Sequence, residues 1–506
     1  MSRLRRFHAA RWDEPLIHRI GAPGRRGQHF PLADANGLVP AGLARSAPPD
    51  LPELSEPEVL HHYLRLSQET MGMLGVSLFG TCTMKYNPRA GELAARALAG
   101  VHPQQPPETL QGLLECVHGL DLALRALSGM DRFTFQAAGG ADAAWTQAVI
   151  TRAWHAARGE GNTRTQIITS LQSHPCNPAT AATAGYGIIT LPLGANGYPS
   201  LDALKAALGP NTAALMINNP DDMGVYNPEI TEWVRLTKAA GALAFYDHAN
   251  FNGVMTKIRA RDLGFDACMF MLHKTFGVSK GGGGPAVGAY GCTAELAPFL
   301  PGPLVTRQGG AYALETPVHM AARVREYMGN LQQVVKAWAW TRSMGAQGLA
   351  DASDMSVLLN NYMETRLLGL RGVTRSHPEQ ALPRLEMTRY SLGTLFEETG
   401  VSAVDVQNRM ADFGIDAFWL SHEPWIVPQP FTPEAGEMWS KEDIDYWIDG
   451  LEAVIAEAYA DPARVLGAPH NQVVGKLDAS DLDDPANWAT TWAAWRRKQG
   501  DRLPGE

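Results

Sequence analysis

Between residues 109 and 291 the chain alternates short runs that are apolar throughout with longer stretches of helical spacing. The runs fall at 165–170, 187–191, 213–217, 242–246, 267–272 and 285–290, preceded by Phe133-Thr134-Phe135-Gln136. A strand that is apolar at every position is buried on both faces. Alternation with helical stretches at 109–127, 144–157, 201–208 and 229–240 predicts a mostly parallel sheet in an α/β domain.

The flanks read differently. The first eighty-odd residues are broken by turns such as Gly21-Ala22-Pro23-Gly24, and their clearest helix start is the capping-box spacing Ser55-Glu56-Pro57-Glu58. They read as an arm that wraps the body or a second subunit. Beyond Gly309 the pattern is helical to about Leu370, then a strand at 382–390 and helices at 403–413 and 444–460. Trp488, Trp492 and Trp495 form a stripe in the tail that packs on the chain itself. The expected division is an arm (1–90), a large α/β domain (91–330), a small α+β domain (331–470) and a tail helix (471–506).

Composition narrows the class without naming chemistry. The chain has 506 residues, with 43 Lys+Arg against 52 Asp+Glu, a formal charge of −9. With 45 % hydrophobic and 19 % charged residues it is neither disordered nor built to bind nucleic acid. It has no membrane-spanning run and no signal-peptide core, so a cytoplasmic protein is expected. Five scattered cysteines without a Cys-x-x-Cys pair give neither a disulfide framework nor a metal site.

The chemistry gathers at strand ends. Lys274 follows the run ending Met271-Leu272-His273, and Asp247 ends the run 242–246, one βαβ step earlier. Both side chains can emerge at the carboxyl edge of a parallel sheet, where open α/β sheets bind ligands. A salt-bridged strand-end lysine is the plainer reading of Lys274 taken alone. With Asp247 it becomes the pair that pyridoxal phosphate requires: a lysine to form the Schiff base and a carboxylate to keep the ring nitrogen protonated. Ala138-Gly139-Gly140, at a small-residue turn opening a helix, offers an anion seat for the phosphate. His174 offers a flat group to cover the ring.

These residues sit within longer runs that resemble a known family. Glu14-Pro15-Leu16-Ile17, Leu51-Pro52-Glu53-Leu54-Ser55-Glu56-Pro57-Glu58 and Gly80-Thr81-Cys82-Thr83-Met84-Lys85-Tyr86-Asn87-Pro88-Arg89 are similar to subunit 2 of glycine dehydrogenase (decarboxylating), the P-protein of the glycine cleavage system. So are His102-Pro103-Gln104-Gln105-Pro106, Leu272-His273-Lys274-Thr275-Phe276 and Ala468-Pro469-His470, spread over nearly the whole chain.

The resemblance implies the pyridoxal-phosphate-dependent transferase fold of type I, aspartate aminotransferase-like. It implies Lys274 as Schiff-base lysine, Asp247 as ring-nitrogen partner and His174 stacked on the ring. Asn177, Asn250, His273 and Thr275 would complete the cofactor site, with Thr81, Cys82 and Thr83 lining the substrate pocket. The implied activity is loss of carbon dioxide from glycine and passage of the aminomethyl group to the lipoyl arm of the H-protein. A subunit 1 partner and a dimer, homomeric or heteromeric, go with it.

Departures from the family pattern cluster near the pocket. Asp142-Ala143-Ala144 follows the phosphate turn, His248 adds an imidazole beside Asp247, and Pro175-Cys176 follows His174. Leu385-Glu386 replaces the usual His-Glu, with Arg389 on the same expected strand, and 429–434 is rebuilt. They support an alternative: a stand-alone decarboxylase, C–C lyase or amine-group transferase acting on another amino acid without H-protein. On that reading His248 acts as an acid or base and Arg389 holds a substrate carboxylate. Their plainer roles are a loop hydrogen bond and a surface salt bridge. A purely scaffolding role is opposed by the retention of Lys274 and Asp247, neither of which folding requires.

Overall fold

Seven of the apolar runs become strands of one sheet: β1 (Arg132–Ala137), β2 (Gln166–Ser170), β3 (Gly187–Leu191), β4 (Thr212–Asn218), β5 (Leu243–His248), β6 (Ala267–Met271) and β7 (Gly288–Cys292). Their spatial order is β1-β7-β6-β5-β4-β2-β3. Every pairing is parallel except those of β7, which runs antiparallel to β1 and to β6. The computed structural model describes residues 4–27, 37–47, 49–71, 75–80, 88–279, 286–416, 418–422, 424–476 and 483–500.

The sheet is apolar throughout because it carries a core on each face. Alternation along the pleat sends Tyr246, Cys268 and Phe270 into one core and Phe245, Met269 and Met271 into the other. Helices Gln111–Ser128 and Ile230–Ala239 and the start of Leu331–Leu367 cover the first face, and helix Gly140–Ala157 covers the second. A third core lies in the C-terminal region, where Trp447, Ile448 and Leu451 of helix Lys441–Ala460 meet Tyr390, Phe418 and Phe431.

The flanks depart from expectation in detail. The 309–370 stretch is not helical throughout: a hairpin of Leu304–Gln308 with Ala311–Glu315 precedes the long helix Leu331–Leu367, which bends at Gly345. Of the strand expected at 382–390, only Tyr390–Ser391 pairs regularly, in a three-stranded sheet with Thr374–Arg375 and Pro430–Phe431. The rest is taken up in crossing to the large sheet's edge. Ser55 does cap helix Glu56–Gln68 through the reciprocal bonds of a capping box with Glu58. The arm lies along the C-terminal region, with the Phe7 N–H on the Asp412 carbonyl and the Ala9 N–H on that of Asn471. The tail clasps the arm: Trp492 stacks on His18 at 4.5 Å and on Trp495 at 4.9 Å. Trp488 precedes helix Trp492–Lys498 and is mostly exposed, so the stripe is shorter than its spacing implied.

One seam joins the sheet edge to the C-terminal region. After β4 the loop 219–226 turns over Asp221, whose carboxylate accepts the N–H groups of Met223 and Val225. This loop presents Gly224 to segment 385–389: the Leu385 N–H donates to the Gly224 carbonyl at 3.3 Å. Gly224 has φ +76°, and a Cβ there would lie 1.8 Å from the Met387 carbonyl oxygen. Gly224→Ala therefore combines a disfavoured backbone conformation with a backbone collision. It should cost at least about 2 kcal/mol, read as a lowered thermal midpoint; an unchanged midpoint would refute this account of the seam.

Candidate functional site

The parallel strands point their carboxyl ends at one edge, and the turns leaving β1, β2, β5 and β6 meet there. Gly139 and Gly140 follow β1, His174 follows β2, Asp247 lies at the end of β5, and Lys274 lies in the single turn Leu272–Thr275 after β6. Lys274, Asp247, His174, Gly140, Cys176 and His273 line one cavity of about 360 Å³. Two sulfur-bearing residues on the same face of β6, Met269 and Met271, line it as well.

Asp247 is the most constrained group. It is buried, with one carboxylate oxygen accepting the Ala249 N–H at 2.9 Å and the other the Asn177 amide at 3.0 Å. Burial pushes its acid up to about 6, against the pull of those two hydrogen bonds and of the Lys274 charge. Each oxygen keeps a lone pair for a further donor. A ring N–H⁺ beside this carboxylate would compensate its desolvation. Lys274 itself forms no ion pair among the described residues, so the plain strand-end salt bridge is not what holds it.

The turn expected to seat a phosphate has a specific local build. The first N–H groups of helix Gly140–Ala157 lack intrahelical acceptors and point at the cavity end of the turn. A Cβ on Gly139 would meet nothing within 4 Å, so there is open space beside the backbone. Asp142 puts a carboxylate into this first turn, but Arg325 holds it at 3.0 Å and the Ala138 N–H donates to the same oxygen. The Ala138 N–H is thus spent on Asp142, and the seat falls to Gly140 and its successors. His174 is oriented by its own turn, its Nδ1 accepting the Cys176 N–H at 3.1 Å. These residues fit pyridoxal phosphate: an unneutralised lysine, a buried carboxylate with spare acceptor capacity, an open helix N-terminus and a fixed flat ring.

Other expected residues lie elsewhere. His248 is on the opposite pleat from Asp247, its ring 3.7 Å from that of Tyr246 and stacked on Phe270 at 5.4 Å. Burial depresses its pKa to about 3, so it is neutral. This is a core position, and the role of acid or base beside the cofactor does not fit it; adjacent residues of a strand face opposite ways. Asn250 donates to Asp222 at 3.0 Å, and Thr275 is buried outside the cavity lining. Thr81, Cys82 and Thr83 lie outside the described residues, although Phe79, just before them, lines the cavity.

Two further lining residues, like Phe79, were not marked by any motif. Trp419 and His422 reach the cavity from the loop between Ile415–Asp416 and Pro430–Phe431, with the His422 ring edge-on to His174 at 4.6 Å. Trp419 and His422 also wall a second cavity of about 200 Å³, and Arg389 lines it. No spacing motif marked them; the loop's Phe418-Trp419-Leu420 reads only as a short apolar run.

Comparison with known proteins agrees with this geometry. The aminotransferase class-V family profile matches residues 145–392. A protein of Thermococcus onnurineus described as probable glycine dehydrogenase (decarboxylating) subunit 2 is 40 % identical, over 97 % of this chain and 98 % of its own. The chain belongs to this subunit 2 family. Relatives of the same description in Pyrococcus furiosus and Halalkalibacterium halodurans are 40 % and 37 % identical, covering 93 % and 92 % of this chain and 95 % and 96 % of theirs. Among solved structures, an inhibitor-bound glycine decarboxylase (P-protein) superposes with TM-score 0.67 at 21 % identity, over 81 % of this chain and 92 % of that one. A cysteine desulfurase of Escherichia coli gives TM-score 0.57 at 17 % identity, over 76 % and 95 %. This chain thus has the type I fold, and it spans nearly the full length of these relatives.

One ionisable group where the C-terminal region meets the loop after β5 makes a pH-dependent prediction. Glu386 is fully buried against Gly253, near Glu434. Burial first, then the Glu434 charge, raises its pKa from the ordinary 4.5 to about 8, against the Gly253 N–H and the Lys274 charge. Between these values the folded chain holds a proton that the unfolded chain has lost, so stability falls as pH rises through that window. Glu386→Gln removes this slope. Its thermal midpoint should gain on the unaltered chain as pH is raised from 5 to 9; parallel midpoint-versus-pH curves would show that Glu386 holds no proton.

Proposed function

We propose that this chain is the pyridoxal-phosphate-bearing subunit of a glycine-decarboxylating enzyme, passing the aminomethyl group to a lipoylated carrier and working with a subunit 1 partner. The carrying observation is that Lys274 and Asp247 face one cavity from neighbouring strand ends, with Asn177 orienting the carboxylate. Membership of the subunit 2 family supports the same substrate. Exposed apolar side chains on the arm, among them Leu38, Leu43, Leu51 and Leu60, suit a covering subunit. Among the described residues no helix is long and apolar enough to cross a membrane.

When bound, pyridoxal phosphate supplies an aldehyde that forms an imine with an amine and a ring that takes up the electron pair of the bond broken at the substrate carbon. Lys274 would hold the aldehyde carbon and, when glycine takes its place, keep its amine at hand to recover it. Asp247 would hold the ring nitrogen as N–H⁺, a charge-assisted bond in a dry site where it is worth most. The turn at Gly140 would seat the phosphate without side-chain charge. His174, locked through Nδ1, would cover one ring face. Met269 and Met271 would keep water from the other walls, favouring departure of a neutral carbon dioxide over a solvated carboxylate.

Reduction with borohydride in the presence of pyridoxal phosphate should add the reduced cofactor to the Lys274 peptide, and Lys274→Ala should abolish the adduct. Asp247→Asn should leave the adduct but lower glycine–bicarbonate exchange, assayed with subunit 1 and the lipoylated carrier, by at least about 10²-fold. Absence of exchange with every partner supplied would reject glycine decarboxylation; absence of the adduct would reject the cofactor site.

A further inference from the structure

The second cavity holds a buried cation that lacks a counter-ion at contact. Arg389 is 3 % exposed, yet no carboxylate among the described residues lies within salt-bridge distance of it. Its Nε donates to the Thr432 hydroxyl at 3.0 Å and its Nη2 to the Asp222 backbone carbonyl at 2.9 Å, both uncharged oxygens. Trp419 covers the guanidinium face at 4.8 Å. That leaves Nη1, with no hydrogen-bond partner among the described residues, as the group available to a ligand. Arg409, equally buried, shows the usual arrangement, with Glu457 at 2.7 Å and Asp412 at 2.8 Å. The carboxylates of Asp222 and Asp221 act on Arg389 only from beyond contact, so part of the cost of removing a guanidinium from water stays uncompensated. Here it lines a mostly apolar cavity in which Ser170, Ser173 and Ser421 are among the few polar groups.

This cavity adjoins the Lys274 cavity, because Trp419 and His422 line both. Its volume of about 200 Å³ is several times the roughly 30 Å³ share of one water molecule in the liquid. Glycine has no side chain to put there. The carboxylate expected at Arg389 is also not the one a decarboxylase expels. A guanidinium gripping the departing group stabilises the anionic ground state more than the transition state, in which that charge flows into the ring, and so opposes the reaction. An arginine set in an adjoining cavity suits a carboxylate that survives.

We propose that Arg389 and its cavity form a subsite for a second, non-reacting carboxylate, so that the site accepts an acidic α-amino acid whose amino end lies in the Lys274 cavity. This rests on the reading of the Lys274 cavity only for where the amino end sits. Ser170 and Ser173 share one hydrogen bond at 3.1 Å, and the hydroxyl proton that pair leaves over would add a donor to the carboxylate, with Trp419 fixing the fork's plane.

The test is calorimetric titration of the cofactor-loaded chain with aspartate and glutamate against asparagine and glutamine, which have the same length without the charge. The acids should bind at least about tenfold more tightly than the amides. Arg389→Gln should bring that ratio close to one, and Arg389→Lys should leave it intermediate, since charge remains without the planar fork. Succinate, which has no amine and needs no imine, is titrated in parallel and should bind the unaltered chain but at least about tenfold more weakly the Arg389→Gln chain. Because Arg389 bridges two segments, the ligand series on the unaltered chain stands by itself should the variant fail to fold. Amides binding as well as the acids, or no binding by any of them or by succinate, would overturn the proposal. So would an acid preference that survives Arg389→Gln. Succinate binding without a borohydride adduct at Lys274 would leave the subsite standing and remove the cofactor reading; the adduct without acid preference would do the reverse.

Discussion

A carboxylate buried at the end of a parallel strand is unfavourable unless something pays its desolvation, and the site is arranged around that fact. Asp247 receives one N–H from its own turn and one from Asn177, on a helix reached through a different strand. Those bonds hold it in place yet leave its acid raised to about 6. It is a poised acceptor that a cationic ring nitrogen would satisfy. Lys274, one strand over, has no competing ion pair among the described residues, and the glycine turn after β1 would offer an anion seat without a free side-chain charge, since Arg325 pairs with Asp142. The parallel sheet places these groups together because every contributing strand delivers its turn at the same edge.

The C-terminal region closes that edge and decides the character of the pocket. Its loop brings Trp419 and His422 against His174, and segment 385–389 carries Arg389 across the seam at Gly224 to the Asp222 carbonyl. Subunit 2 relatives match nearly the whole length of the chain. A buried guanidinium facing an adjoining cavity marks this seam. The same seam buries Glu386 beside Gly253, so its protonation and the packing of the two regions are linked.

Much of the fold was legible because strands buried on both faces are apolar without interruption, a pattern that water-facing segments do not imitate. The order of Gly139-Gly140, His174, Asp247 and Lys274 was legible because each follows one of these runs. His248 was misplaced for an equally definite reason. Adjacency in sequence suggested adjacency in the site, but the pleat turns neighbouring residues to opposite faces, and Tyr246 and Phe270 enclose the imidazole. Ala138 was assigned to the phosphate seat from its place in the turn, and only the Asp142 side chain folding back on it shows that its N–H is already used.

By itself the sequence determined a mostly parallel α/β sheet, the residues at its carboxyl edge and the chemistry their types allow, since those follow from local patterning and strand-end position. It also determined the family, through motifs spread over nearly all 506 residues. Tertiary structure alone decided which of two neighbouring residues enters the pocket, which backbone N–H groups remain free, and that Trp419, His422 and Arg389 share walls with the Lys274 cavity. The reason is that these depend on contacts between segments far apart in the chain, and no local pattern encodes where a loop some 145 residues beyond Lys274 comes to rest.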